Sequence, residues 1–241
     1  MSGLTWQVLL LIGLAAGVGA YVQAVVGLGI GLVMAPIVAL LEPSLVPTLP
    51  LWLALVVAGL NLADEHAHVD WRSMGWALPA RVPGTFVGAW LVASFTEQQI
   101  GVVLALMVLV AVGLTVHTVT VPLNPVSLST AGFVAGATGT ATSIGGPPIA
   151  LLYQRERPEV VRATLSVFFF VGVILSLTVL AFAGSLGRTA SLAALTLAPL
   201  VLAAYLAGRA SRRYVDGPAF RHAVLVVCTV SAVVLLIRSL G

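Results

Sequence analysis

The sequence predicts an all-α integral membrane protein, and three observations carry that class. Only 8% of the residues are charged against 60% hydrophobic, and mean hydropathy is +1.12, whereas a soluble domain keeps about a quarter of its residues charged. Apolar runs of membrane-spanning length follow one another from end to end. The short alternating strands of a membrane barrel are absent from the pattern.

Eight apolar segments make up the chain: 4–41, 44–63, 74–95, 98–118, 125–154, 160–184, 189–210 and 218–240. Most have the ~20 residues that cross a hydrocarbon layer ~30 Å thick. The first has about 38 residues and the fifth about 30. At ~1.5 Å per residue either would overshoot the bilayer as one straight helix. Both carry glycine clusters near the middle, so each is expected to be broken, unwound or folded back as a re-entrant hairpin. The opening run lacks a basic n-region and continues past signal-peptide length, so it is expected to stay in the mature fold. The loops are short, and the lone Cys228 sits inside an apolar run as a packing residue.

The two long segments open two halves, 1–120 and 121–241, that read as transmembrane repeats of four segments each. A shift of 116 lays Gly27-Leu28-Gly29-Ile30-Gly31 on Ser143-Ile144-Gly145-Gly146-Pro147 and Pro83 on Pro199. Paired glycine- or proline-interrupted segments in matching positions point to a binding site in duplicated membrane folds. If segments 1 and 5 are re-entrant the repeats are inverted, and if both cross they are parallel; the inverted form is the expectation.

The charge of the chain, +3, comes from eleven arginines and no lysine, with a pI near 9.6. They lie at the ends of apolar runs, where orientation signals belong, so nucleic acid drops out as a partner. Arg155, Arg157 and Arg162 flank one loop, and Arg209, Arg212, Arg213 and Arg221 flank another two crossings later. The positive-inside rule places that side in the cytoplasm, opposite Arg188 and Arg238. Trp6, Trp71 and Trp76 sit near segment ends, as interface anchors do.

A broken helix in hydrocarbon exposes bare N–H and C=O groups unless they line a cavity or are buried in protein. In "GATGTATSIGGPP" (136–148), Gly145 and Gly146 open the backbone to a ligand, Pro147 and Pro148 suit a first helical turn, and Ser143 suits an N-cap. The expected product is a helix N-terminus in mid-membrane, a site for an anion. Thr138, Thr140, Thr142 and Ser143 can reach one groove only if the backbone changes course there. The competing reading packs these small residues helix on helix, with their hydroxyls bonded to their own backbone. In the first half, "AYVQAVVGLGIGLVMAP" offers Gly27, Gly29 and Gly31, with Gln23 as the one strongly polar side chain.

Neither broken segment has a charged interior residue. Arg81, a few residues into segment 3, either reaches the substrate or snorkels to the interface, and snorkelling is the more ordinary behaviour. Asn61, late in segment 2, either lines the path or caps its helix. "DEHAHVD" (64–70) reads as a solvated turn rather than a metal site, and His117 as interfacial. No nucleophile elbow, HExxH or phosphate loop appears, so no enzyme and no cofactor are expected.

"GLGIGLVMAPIVALL" (27–41) and "GATGTATSIGGPPIALLY" (136–153) resemble the paired glycine motifs of the TauE/SafE family, as do "VDWR" (69–72) and "VPGTFVGAWL" (82–91). Ile30 stands where family members often carry a further glycine. The resemblance implies a secondary transporter of the bacterial inner membrane for sulfite, sulfoacetate or another organosulfonate. Alternating access around the two broken segments is the expected mode, with proton or sodium as candidate coupling ions, and the resemblance implies a homodimer as the assembly. A passive small-anion channel, or a carrier of carboxylates, would use the same dipoles.

Overall fold

The computed structural model describes residues 5–27, 29–116, 121–212, 214 and 218–240. Among the described residues the fold is all-helical, with ten α-helices: α1 (Trp6–Val26), α2 (Ile30–Leu41), α3 (Thr48–Glu65), α4 (Trp71–Ser94), α5 (Glu97–Val116), α6 (Pro125–Thr142), α7 (Gly146–Leu152), α8 (Pro158–Phe182), α9 (Arg188–Ser211) and α10 (Pro218–Leu240). Among the described residues, four stretches are long and apolar enough to cross a membrane: Trp6–Val26, Thr48–His68, Pro158–Phe182 and Arg188–Ser211.

Local chemistry sets several helix starts. The Asn124 side chain accepts from Ser127 N while Ser127 Oγ accepts from Asn124 N, a capping box with Pro125 at the first helical position of α6. Asp70 caps α4 by accepting from Ser73 N, and Tyr153 Oη, just past α7, donates to the same carboxylate at 3.3 Å. Partial burial pushes the Asp70 carboxyl up, but the hydrogen bonds from Ser73 and Tyr153 outweigh it and hold the group below the ordinary carboxylate range.

Side-chain pairings fix the helix directions. α3 ends beside the start of α8, where Glu65 meets Arg162. The ends of α1 and α9 join them, since Arg212 donates to Ala24 O and pairs with Glu65. At the start of α4, Asp70 N donates to Thr164 Oγ1 of α8 at 3.0 Å. The result is one arginine-rich end at which α1, α3 and α9 finish and α4, α6 and α8 begin. The 64–72 stretch lies at that end, with the Arg162 and Arg212 loops. Arg188, Arg238 and Glu97 lie at the other. Arg213 and His117, and the side chain of Arg221, lie outside the described residues. Trp6, Trp71 and Trp76 are each at least half exposed, the first at the opposite end from the other two.

Close packing comes from glycines. α4 and α6 run side by side in the same direction, each with a G-x-x-x-G pair, Gly84/Gly88 and Gly132/Gly136. A methyl group on Gly84 would lie 2.1 Å from Phe133 O, on Gly132 2.2 Å from Ala77 O, and on Gly136 2.4 Å from Arg81 O. Such small-residue seams let helix backbones touch where no water is present to drive association. α9 lies along α1 in the same parallel sense, Gly208 against Tyr21 O. α3 packs on α8, and α5 on α10.

Candidate functional site

Both long segments lose helix at their glycines. α1 ends at Gly27, in the left-handed region at φ 91°, whose N–H donates to Gln23 O at 2.8 Å. Gly29 has φ 156°, and a methyl group there would lie 2.7 Å from Val22 Cγ1. The first amide of α2, Ile30 N, donates to Gln23 Oε1 at 3.1 Å in a buried bond. A side chain four residues before the break thus satisfies one of the amides that the new helix start leaves open.

The second break turns at Ser143, the one described non-glycine residue with positive φ, at 61°. Here the structure corrects the sequence reading. Ser143 closes α6 as its C-cap and does not open α7, whose N-cap is Gly145. The reason is geometric: Gly145 packs on the α6 backbone, 2.7 Å from Ala135 O for an added methyl, so the chain must reverse before the new helix begins. The two breaks also touch each other. A methyl group on Gly31 would lie 2.2 Å from Ser143 O.

Beside this junction lies Arg81. The residue is 2% exposed, so it does not snorkel. Its guanidinium carbon sits 4.5 Å from the centre of the Phe168 ring, a cation–π contact. Gly172 on α8 makes the room, since a methyl there would lie 2.0 Å from both Cζ and Nε, and Gly139 on α6 lies close to Nη2. Nε and Nη1 have no hydrogen-bond partner, and among the described residues no carboxylate pairs with Arg81.

Arg81, Gln23, Gly29, Gly31, Ser143, Gly145 and Gly146 converge on one cavity of ≈ 40 Å³. At the ~10–15 Å³ that one water requires, this is room for about three waters or one compact oxyanion. Leu51, Ala54, Phe169 and Val173 form an apolar wall. Gly31 and Leu32 line it with the first turn of α2, where helices leave amides without an internal partner.

The other predicted residues lie elsewhere. Thr138 is directed to its own helix and donates to Val134 O at 2.9 Å, and Thr142 donates to Thr138 O at 2.8 Å. Thr140 shares a 2.8 Å hydrogen bond with Ser176 of α8. The hydroxyl groove is therefore not formed: Thr138 and Thr142 bond their own helix, Thr140 bonds α8, and Ser143 alone of the four lines the cavity. Gly27 abuts Arg162, Pro147 sits in the first turn of α7, and Asn61 bridges Gln23 O and Arg212 Nη2 away from the cavity. Sequence reasoning missed Gly139, Gly172 and Phe168, which hold the guanidinium. Each belongs to a different helix from Arg81, and no local pattern links them.

The family model described as sulfite exporter TauE/SafE matches residues 9–235. No curated protein and no solved structure matches the chain.

Proposed function

The chain belongs to the TauE/SafE sulfite exporter family, a family of membrane transporters, and from that premise we propose that it carries a small sulfur oxyanion through the cavity at the two helix breaks. It is a multi-pass membrane protein; we assign it to the bacterial inner membrane, arginine-rich end in the cytoplasm, as the positive-inside rule directs. The single observation behind the site is Arg81. A buried cation with no carboxylate and two unbonded N–H groups is costly. An anion in the adjoining cavity offsets that cost, and the first-turn amides of α2 add donors to the same ligand.

Alternating access is the transport mode that fits this arrangement. α1, α3 and α9 finish at the end where α6, α8 and α4 begin, and the 116-residue shift pairs α1 with α6, α3 with α8 and α9 with α4. Opposed directions of matching helices support two inverted repeats, 1–120 and 121–241, whose breaks fold back as hairpins. In such designs the substrate sits where the repeats meet and one repeat rocks against the other. Proton or sodium would couple the cycle, and a homodimer is the assembly expected of the family.

The test is uptake of labelled sulfite and sulfoacetate by purified protein in liposomes, with and without a proton gradient. Lactate serves as a non-sulfur competitor. Saturable flux that sulfonates block and lactate does not supports the sulfur assignment. Arg81→Gln, folded and inserted, is expected to lose at least ~100-fold in transport efficiency, the cost of a charge-assisted anion contact. Parent-level flux in that variant removes the site. Flux that does not saturate makes the protein a channel.

A further inference from the structure

The arginine-rich end carries a second polar construction, separate from the anion cavity but joined to it. Glu65, at the end of α3, takes Arg162 Nε of α8 at 2.8 Å and Arg212 Nη1 at 2.7 Å, and all three side chains are less than one-fifth exposed. Arg212 also donates to Ala24 O in the last turn of α1 at 2.7 Å and to Asn61 Oδ1 at 2.9 Å. One carboxylate therefore gathers the ends of α1, α3, α8 and α9 at a single point.

That point lies directly over the first break. An added methyl on Gly27 would meet Arg162 Cγ at 2.8 Å. Asn61 continues the chain of bonds inward, its Nδ2 donating to Gln23 O at 3.4 Å. Gln23 in turn lines the cavity and accepts from Ile30 N through its side chain. From Glu65, hydrogen bonds run through Arg212 and Asn61 to the backbone carbonyl of Gln23, and the side chain of that same residue holds the first amide of the cavity-lining helix.

We propose that Glu65, Arg162 and Arg212 are an ionic gate that closes the anion cavity toward the arginine-rich end, with Asn61 and Gln23 linking gate to site. This rests on the cavity being the transport site. Several properties favour a gate over a plain staple. The pairs join the ends of four helices and not their middles. They are partly hydrated, so breaking them costs far less than breaking a fully buried pair. An anion that draws Ile30 N away from the Gln23 side chain loosens the last turn of α1, whose Gln23 and Ala24 carbonyls are the acceptors of Asn61 and Arg212.

Labelling tests the gate without relying on transport. On a Cys228→Ala background, Ala54→Cys places a thiol in the cavity wall. A membrane-impermeant thiol reagent is then applied from each side in sealed vesicles. Glu65→Gln is expected to speed labelling from the arginine-rich side on the order of tenfold, as expected if roughly 1.4 kcal/mol of closed-state bias is lost, and Glu65→Asp to stay near the parent. Arg162→Gln, which leaves the Arg212 pair, is expected to fall between. Equal rates in parent, Glu65→Gln and Arg162→Gln overturn the gate. A rise of the same size from both sides also overturns it, since that marks general loosening. Protection of the introduced thiol by sulfite in the parent reads the anion site itself, so its loss would sink that site while leaving the gate result standing.

Discussion

At residues 27–29 the chain reverses through two glycines, at φ 91° and 156°, and borrows a side chain, Gln23, to satisfy the first amide after the turn. At 143–145 it reverses through a serine at φ 61°, and the neighbouring hydroxyls of Thr142 and Ser143 bond within the turn itself. The first break is poor in polar side chains and leans on its surroundings: Gln23, then Asn61 and Arg212. The second is rich in them yet turns almost all of them onto its own backbone. Hydroxyl content therefore does not mark the cavity. What distinguishes the cavity is the cation that α4 brings to a space lined by both breaks, with glycines of α6 and α8 packed against it.

Filling the contact between the breaks should have the largest effect. Gly31→Leu drives a side chain into Ser143 O, 2.2 Å from the first added atom. Transport is expected to fall below detection, ~100-fold or more, with protein still in the membrane by quantitative blotting. Full activity would mean that the breaks need not touch. The next test moves the cation. Gly172→Ala puts a methyl 2.0 Å from the guanidinium, and displacement by ~1 Å is expected to raise KM roughly tenfold or more. A change in kcat alone would separate Arg81 from substrate binding.

Smaller effects sharpen the contrast. Gln23→Leu leaves Ile30 N unbonded at the first break, and should cost about 1–3 kcal/mol in denaturant unfolding in detergent. Thr142→Val, its nearest counterpart at the second break, should cost less, because its 3.3 Å bond to Ile144 N is long. Equal losses would erase the asymmetry. Ser143→Gly should stabilise by no more than about 1 kcal/mol, relieving the left-handed strain of a residue with a Cβ. Destabilisation instead would show that the serine hydroxyl holds the turn.

The helical fold and the places where it breaks are legible in the sequence because they follow from local rules: run length against bilayer thickness, and glycine or proline interrupting a run. Gln23, Gly29, Gly31, Ser143, Gly145 and Gly146 reach the cavity for the same reason, since each belongs to a break. Arg81 was readable as a candidate, but its depth was not. An arginine a few residues inside a segment ordinarily snorkels, and it is Gly136, Gly139, Phe168 and Gly172, 55 to 91 residues further on, that keep it in. The threonines mislead because a hydroxyl in a membrane helix can serve a ligand or its own preceding carbonyl, and sequence spacing is the same in both cases.

The glycine seam between α4 and α6 bears on how the chain is made. Its partners come from opposite halves of the sequence, as do those of α9 and α1. When the ribosome has delivered α4, the surface that fits Gly84 and Gly88 does not yet exist, and it arrives only after α5 has been inserted and α6 follows. α1 waits longer still, for α9. The first half is thus left with bare glycine faces against lipid until the second emerges. Residues 1–120 expressed alone should be recognised as unfinished and degraded, and co-expression with 121–241 should rescue them.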